Sequence, residues 1–271
     1  MQSNFLKAGI LAAIIVITSV VSWELYLRSQ HFPISYNDDK PLWATKRKLV
    51  YEPADSATVF IGSSRIKFDL DIPTWEKLTG DKVIQLSCVG TSPRPVLAHL
   101  ANDKKFKGKL IIDVTEPIFF SRDTKRREQW ARDRIEYYNK WTPTQKASTV
   151  LNYPLESAFV FLDDERFSLN AILEDLEIPN RPGVFSFPRF PKEFGLSHAS
   201  RQDYMTEKFL TDTTLQRKQT NNWMMLGALD RSPAISGDSL MMVFEEIKKS
   251  IDKIRARGGK VLFVRTPSSG G

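Results

Sequence analysis

Three histidines and one cysteine among 271 residues exclude a good deal of chemistry. A lone thiol, Cys88, rules out an internal disulfide and any four-thiolate metal site, and its apolar neighbours mark it as a buried, unreactive side chain. His31, His99 and His198 are scattered without metal-ligand spacing, so neither a metal nor another cofactor is expected. Glycine-rich phosphate loops are missing, and no Asp-x-x-His pair occurs anywhere. Massed positive charge is lacking too. Lys and Arg exceed Asp and Glu by 39 to 32, a net +7, but they alternate along the chain, which argues against nucleic acid as a partner. Such diffuse charge favours anionic head groups or acidic glycans at a surface, an attraction that salt weakens. With 41% hydrophobic residues the chain has enough apolar surface for one substantial core.

Much of that surface lies at the amino terminus. Ala8 to Trp23 carries no charge, and Phe5, Leu6, Leu25, Tyr26 and Leu27 extend it. A spanning helix needs roughly 20 mostly apolar residues, a length met here if Lys7 snorkels and Trp23 and Tyr26 lie at the interface. A leader cleaved after Ser22 competes with this reading, although the long apolar core and the bulky Trp23 favour an uncleaved anchor. Lys7 and the terminal amine before the helix, with Glu24 the first charge after it, place the bulk of the chain outside the cytoplasm, as a single-pass membrane protein.

Three regions follow the anchor and cytoplasmic tip, residues 1–27. Residues 28–56 are polar, contain Pro33, Pro41 and Pro53, and read as a stalk. From residue 57 short apolar runs end in turn residues: Thr58 to Ile61 before Gly62-Ser63-Ser64-Arg65, Val83 to Val89 before Gly90, and Leu110 to Val114 before Thr115-Glu116-Pro117. Val96, Leu97 and Leu100 have helical spacing. So do Leu240, Val243, Phe244, Ile247, Ile251 and Ile254, which predict one buried helix face ahead of Gly258-Gly259 and a further strand, Val261 to Val264. Strands alternating with helices predict an α/β fold with a parallel sheet and a site at the carboxyl ends of the strands. Residues of about 123–231 read as a mostly helical insertion. Its Phe185, Phe187, Phe190 and Phe194, set among prolines, either line a substrate groove or pack the insertion onto the domain.

Val59-Phe60-Ile61-Gly62-Ser63-Ser64-Arg65 resembles the first block of the SGNH (GDSL-like) hydrolases, in a membrane-anchored branch, with Ser63 where the family usually has Asp. A serine on the tight turn from a buried strand into a helix has its hydroxyl held outward beside backbone N–H groups. The resemblance implies a three-layer, flavodoxin-like parallel sheet over 57–271, with Ser64 as nucleophile and oxyanion donor and the Gly90 N–H as second donor. Thr115 stands where the family has an Asn and is a candidate third donor. Glu116 beside it would oppose an oxyanion unless turned away. Arg65 either orients an anionic substrate or pairs with Asp69 or Asp71.

The family's base is an Asp-x-x-His pair beyond a further strand, and that block is expected past Gly271; His31, His99 and His198 are not nominated for the role. The implied activity is ester hydrolysis or O-acyl transfer through an acyl-enzyme, on acylated glycan or lipid of a cell envelope. The alternative is a scaffold of the same fold that lacks the base and binds glycan or a membrane partner.

Overall fold

In a computed structural model the described residues are 2–53, 55–121, 124–176, 183, 189–229 and 235–267. In chain order the elements are α1 (Gln2–Ser29), α2 (Lys40–Lys48), β1 (Ala57–Ile61), α3 (Ser64–Asp69), α4 (Ile72–Thr79), β2 (Lys82–Gln85), α5 (Arg94–Asn102) and β3 (Lys109–Asp113). After them come α6 (Glu116–Phe119), α7 (Thr124–Asn139), α8 (Pro143–Ala158), α9 (Asp164–Phe167), α10 (Leu169–Glu174), β4 (Leu196–Ser197), β5 (Asp203–Tyr204), α11 (Glu207–Thr211), α12 (Thr213–Leu229), α13 (Gly237–Arg255) and β6 (Lys260–Val264). The chain divides into two compact units, Met1–Asn37 with Val150–Pro188, and Asp38–Thr149 with Arg189–Gly271.

The second unit is built on a four-stranded parallel sheet in the order β2-β1-β3-β6. Alternation along the strands divides their side chains between two apolar clusters. Val59, Ile61, Ile84, Leu86, Leu110 and Ile112 join Val96, Leu97, Leu100, Val243, Ile247, Ile251 and Ile254 on one face. On the other, Phe60, Val83 and Ile111 meet Ile66, Leu70 and Ile72. Burial on both sides accounts for strands that read as unbroken apolar runs. Strand β6 lies at one margin and departs from this pattern, with Leu262 59% and Phe263 41% exposed.

Residues 28–56 are not a uniform stalk. Asp39 accepts the amide of Leu42 at 2.8 Å and Pro41 occupies the first turn, so α2 begins on a side-chain cap. The helix buries Leu42, Trp43, Ala44 and Arg47, and a 3-10 turn after it buries Val50. The Trp43 indole donates to the Leu86 carbonyl at 3.0 Å.

The expected insertion also divides. Helix α7 packs on α2 and α5 in the sheet-bearing unit, whereas the segment from Val150 belongs with α1. Of the four phenylalanines, Phe185 and Phe187 lie outside the described residues, and Phe190 is partly exposed. Phe194 packs against Phe68, Phe209 and Trp223 at ring separations of 4.9 to 5.2 Å, which makes it a packing residue.

The first unit joins α1 to a 3-10 turn at Val160–Leu162 and to α9 and α10. Helix α1 is long and apolar enough to cross a membrane: an 18-residue stretch within Asn4–Ser29 has mean hydropathy 2.2, and its 28 residues extend about 42 Å at about 1.5 Å each. Near its end the Glu24 carboxylate takes the amides of Val160 at 3.0 Å and Phe161 at 3.2 Å, together with the Arg28 guanidinium at 2.6 Å. Arg28 also donates to the Ala158 carbonyl at 2.6 Å.

Candidate active site

The carboxyl ends of β1, β2 and β3 bring the motif residues to one edge of the sheet. Beyond the regular part of β2, Leu86 donates to the Phe60 carbonyl at 2.8 Å and Cys88 to the Gly62 carbonyl at 3.3 Å. The loops carrying Ser64 and Gly90 therefore leave adjacent, cross-bonded strand ends. Gly90 adopts φ +63°, a conformation that favours glycine. In the order 2-1-3 the direction of connection reverses between β1 and β3, the place where parallel α/β sheets open a crevice.

Gly62 faces Asp113 across that gap. A Cβ at position 62 would stand 2.7 Å from Ile66 Cγ2 and 2.8 Å from Asp113 Cβ. Gly62→Ala is therefore expected to push α3 away from β3 and cost about 1–3 kcal/mol, measurable as a fall in the thermal midpoint.

Ser63 occupies the N-cap position of α3 but caps nothing; its hydroxyl is buried and has no hydrogen-bond partner among the described residues. Ser64 is the first residue of the helix and half-buried. A buried hydroxyl without a partner is costly, and such groups collect where a ligand completes the set.

Of the two carboxylates considered for Arg65, Asp69 feels its charge, which opposes the rise that burial imposes on the Asp69 pKa. Asp71 instead caps α4 through the Thr74 amide and hydroxyl. The Arg65 Nη1 atom is buried and without a hydrogen-bond partner among the described residues, and its charge bears on Asp69 and Glu116. Thr115 is buried, and its hydroxyl lies 3.4 Å from Asp113 Oδ2, a long contact. The Glu116 carboxylate turns to Arg265, whose Nε is 2.5 Å away; its own backbone amide first, and then Arg265, hold its pKa below the usual range.

Sequence reasoning missed the acidic element of this edge. Asp113 is fully buried at the end of β3, and its Oδ1 accepts both the amide and the hydroxyl of Thr266 at 3.1 Å. Asp69 stands near it, and its pKa is raised, chiefly by burial and further by the Asp113 charge, against the lowering effects of Thr266 and Arg65. The only trace in the sequence was the aspartate closing the otherwise apolar run Leu110 to Asp113.

Neither histidine of the sheet-bearing unit presents a base here. His99, in the last turn of α5, is pushed down to about 4 by burial and by Arg47, and its ring lies edge-on to Tyr138. His198 stacks on Tyr204 at 4.2 Å, and burial lowers its pKa. It lines a groove of about 720 Å³ beside β2, with Lys46, Asp71, Glu76 and Gln202, which includes none of Ser64, Arg65, Gly90 or Thr115. His31 belongs to the first unit. No group of His, Cys, Asp and Glu suited to a metal occurs among the described residues.

Beneath the loops a buried charge network fixes the strand ends. Arg201, fully buried at φ +67°, donates to Asp38 at 2.6 and 3.0 Å and to the carbonyls of Gln85 at 2.7 Å and Ser87 at 3.0 Å. Lys67, in α3, joins Asp38 at 2.7 Å and Asp203 at 2.9 Å. Asp38 therefore ties the helix that begins at Ser64 to the strand that leads to Gly90. Neither a family model, nor a curated protein, nor a solved structure matches the chain.

Proposed function

We propose that the chain is a membrane-anchored, extracytoplasmic serine ester hydrolase or O-acyltransferase of SGNH type, acting on acylated glycan or lipid. The observation that carries the reading is Ser64 itself: a half-buried serine on the first helical residue after a buried central strand, next in the chain to Ser63, whose buried hydroxyl has no partner among the described residues. Apolar clusters on both faces of a sheet ordered 2-1-3 support the finer, three-layer description. The length and exposure of α1 support the anchor.

In this reading Ser64 Oγ attacks the acyl carbonyl carbon, and its proton passes to a base. The Ser64 and Gly90 amides hold the oxyanion, the alcohol leaves, and water or an acceptor hydroxyl then takes the acyl group from the serine. The buried Arg65 nitrogen and the pairing of Glu116 with Arg265 favour a site that tolerates negative charge. His99, packed against Tyr138, and His198, stacked on Tyr204, are not placed to be that base. Base-assisted proton transfer contributes about 10²–10⁴-fold to rate, so the residues present bind an ester far better than they turn it over.

The competing reading, a binding scaffold without catalysis, is favoured by the packing of His99 against Tyr138 and of His198 against Tyr204. A fluorophosphonate probe applied to the native protein separates the two. Labelling that disappears in Ser64→Ala and survives in Ser63→Ala is the expected result. A native protein that resists the probe is the scaffold.

A further inference from the structure

We infer that the α10 face of the first unit lies in the membrane interface beside α1, as a second, in-plane contact with the bilayer. This rests on the reading of α1 as a membrane anchor.

Leu169, Ile172, Leu173 and Leu176 recur at helical spacing, and 71%, 48%, 51% and 62% of their surfaces are exposed. They fill an arc of roughly 100° on α10 and its continuation, while Asn170, Glu174 and Asp175 occupy the opposite side. An ordinary surface helix turns such a stripe to the core, and this one turns it outward. Water alone does not account for four large aliphatic side chains in register.

The occupant follows from continuity with α1. The Glu24 carboxylate holds the amides of Val160 and Phe161, and Arg28 holds the Ala158 carbonyl, so the segment leading to α10 is bonded to the last turns of the apolar helix. Trp23 meets Phe167 edge-on at 6.5 Å and Phe32 meets it at 5.2 Å, a cluster of aromatic rings at the level where a spanning helix leaves the hydrocarbon. Val150, Leu151 and Leu155, also exposed, precede that joint on α8. A short helix with an apolar face, held beside the end of a span, fits the boundary between head groups and acyl chains. The acidic residues opposite the stripe make the attraction apolar rather than ionic, so zwitterionic lipid suffices.

The test uses the full chain in phosphatidylcholine vesicles, with an environment-sensitive fluorophore on a single introduced cysteine and brominated lipid as quencher. Ile14→Cys reports α1, Leu173→Cys the stripe, Asn170→Cys the opposite side, and Lys248→Cys on α13 a remote control. The unsubstituted chain corrects for Cys88. Quenching and a blue shift at positions 14 and 173, with neither at 170 or 248, is the expected result. Quenching at 14 alone overturns the inference and leaves the anchor standing. Equal quenching at 170 and 173 overturns it by removing the face. Absence of quenching at 14 removes the anchor reading, and the inference with it.

Discussion

Asp38→Asn is expected to destabilise the sheet-bearing unit by about 3–5 kcal/mol, read as a lower urea midpoint with unchanged slope. The carboxylate is only 15% exposed and neutralises Arg201 and Lys67, which are 0% and 1% exposed, with the Arg134 guanidinium 4.0 Å away. An amide of the same shape keeps the packing and removes the charge, so Lys67 and Arg201 are left with Asp203 as their counter-charge. The attraction of these cations outweighs burial and holds the Asp38 pKa far below its ordinary 3.8. A depressed folded-state pKa contributes stability that is fully present above the unfolded value and lost as pH falls toward the folded one. Native protein should therefore lose stability on acidification below about pH 5, and the Asn variant should show a shallower loss over that range. A variant as stable as the parent near neutral pH would mean that the network does not hold the strand ends.

Trp43→Ala is expected to cost a similar amount, about 3–5 kcal/mol, because it empties the volume of a fully buried indole and strips the Leu86 carbonyl of its donor. The measurement is again denaturant unfolding, followed by circular dichroism because the variant loses a fluorophore. The result bears on domain organisation. A true stalk would tolerate the change within a few tenths of a kcal/mol, as exposed positions do.

These two residues also show where sequence reasoning stopped. Short apolar runs ending in Gly62, Gly90 and Thr115 announced β1, β2 and β3, and the three- and four-residue steps from Leu240 announced α13. Those signals are local and periodic. On α13, Val243, Ile247, Ile251 and Ile254 are buried as expected, whereas Leu240 is partly exposed and Phe244 is 46% exposed and meets Phe120.

Helix α2 escaped notice because Lys40-Pro41-Leu42-Trp43-Ala44-Thr45-Lys46-Arg47-Lys48 is too short for a period and too basic to look buried. Pro41 signalled the start of a helix rather than a linker, and Arg47 is buried only because Asp103, Tyr51 and Tyr138 receive it. The strands β4 and β5 have two residues each and carry no pattern; Arg201 between them earns its place through a carboxylate 163 residues away.

At the site, the serine on its strand-to-helix turn was legible, and so was the glycine that the following loop requires. The acidic pair Asp69 and Asp113, the unbonded Ser63 and the turning of Glu116 toward Arg265 depend on contacts between strands, which no single stretch of sequence records.

Strand β6 has a consequence for handling the protein. Its two large exposed side chains, Leu262 and Phe263, stand at the margin of the parallel array, with a lysine only at the strand's start. Such a margin templates the addition of another strand, so residues 1–271 by themselves should clump as concentration rises even when the bilayer segment is well shielded by detergent, and any strand that pairs on β6 should suppress the clumping.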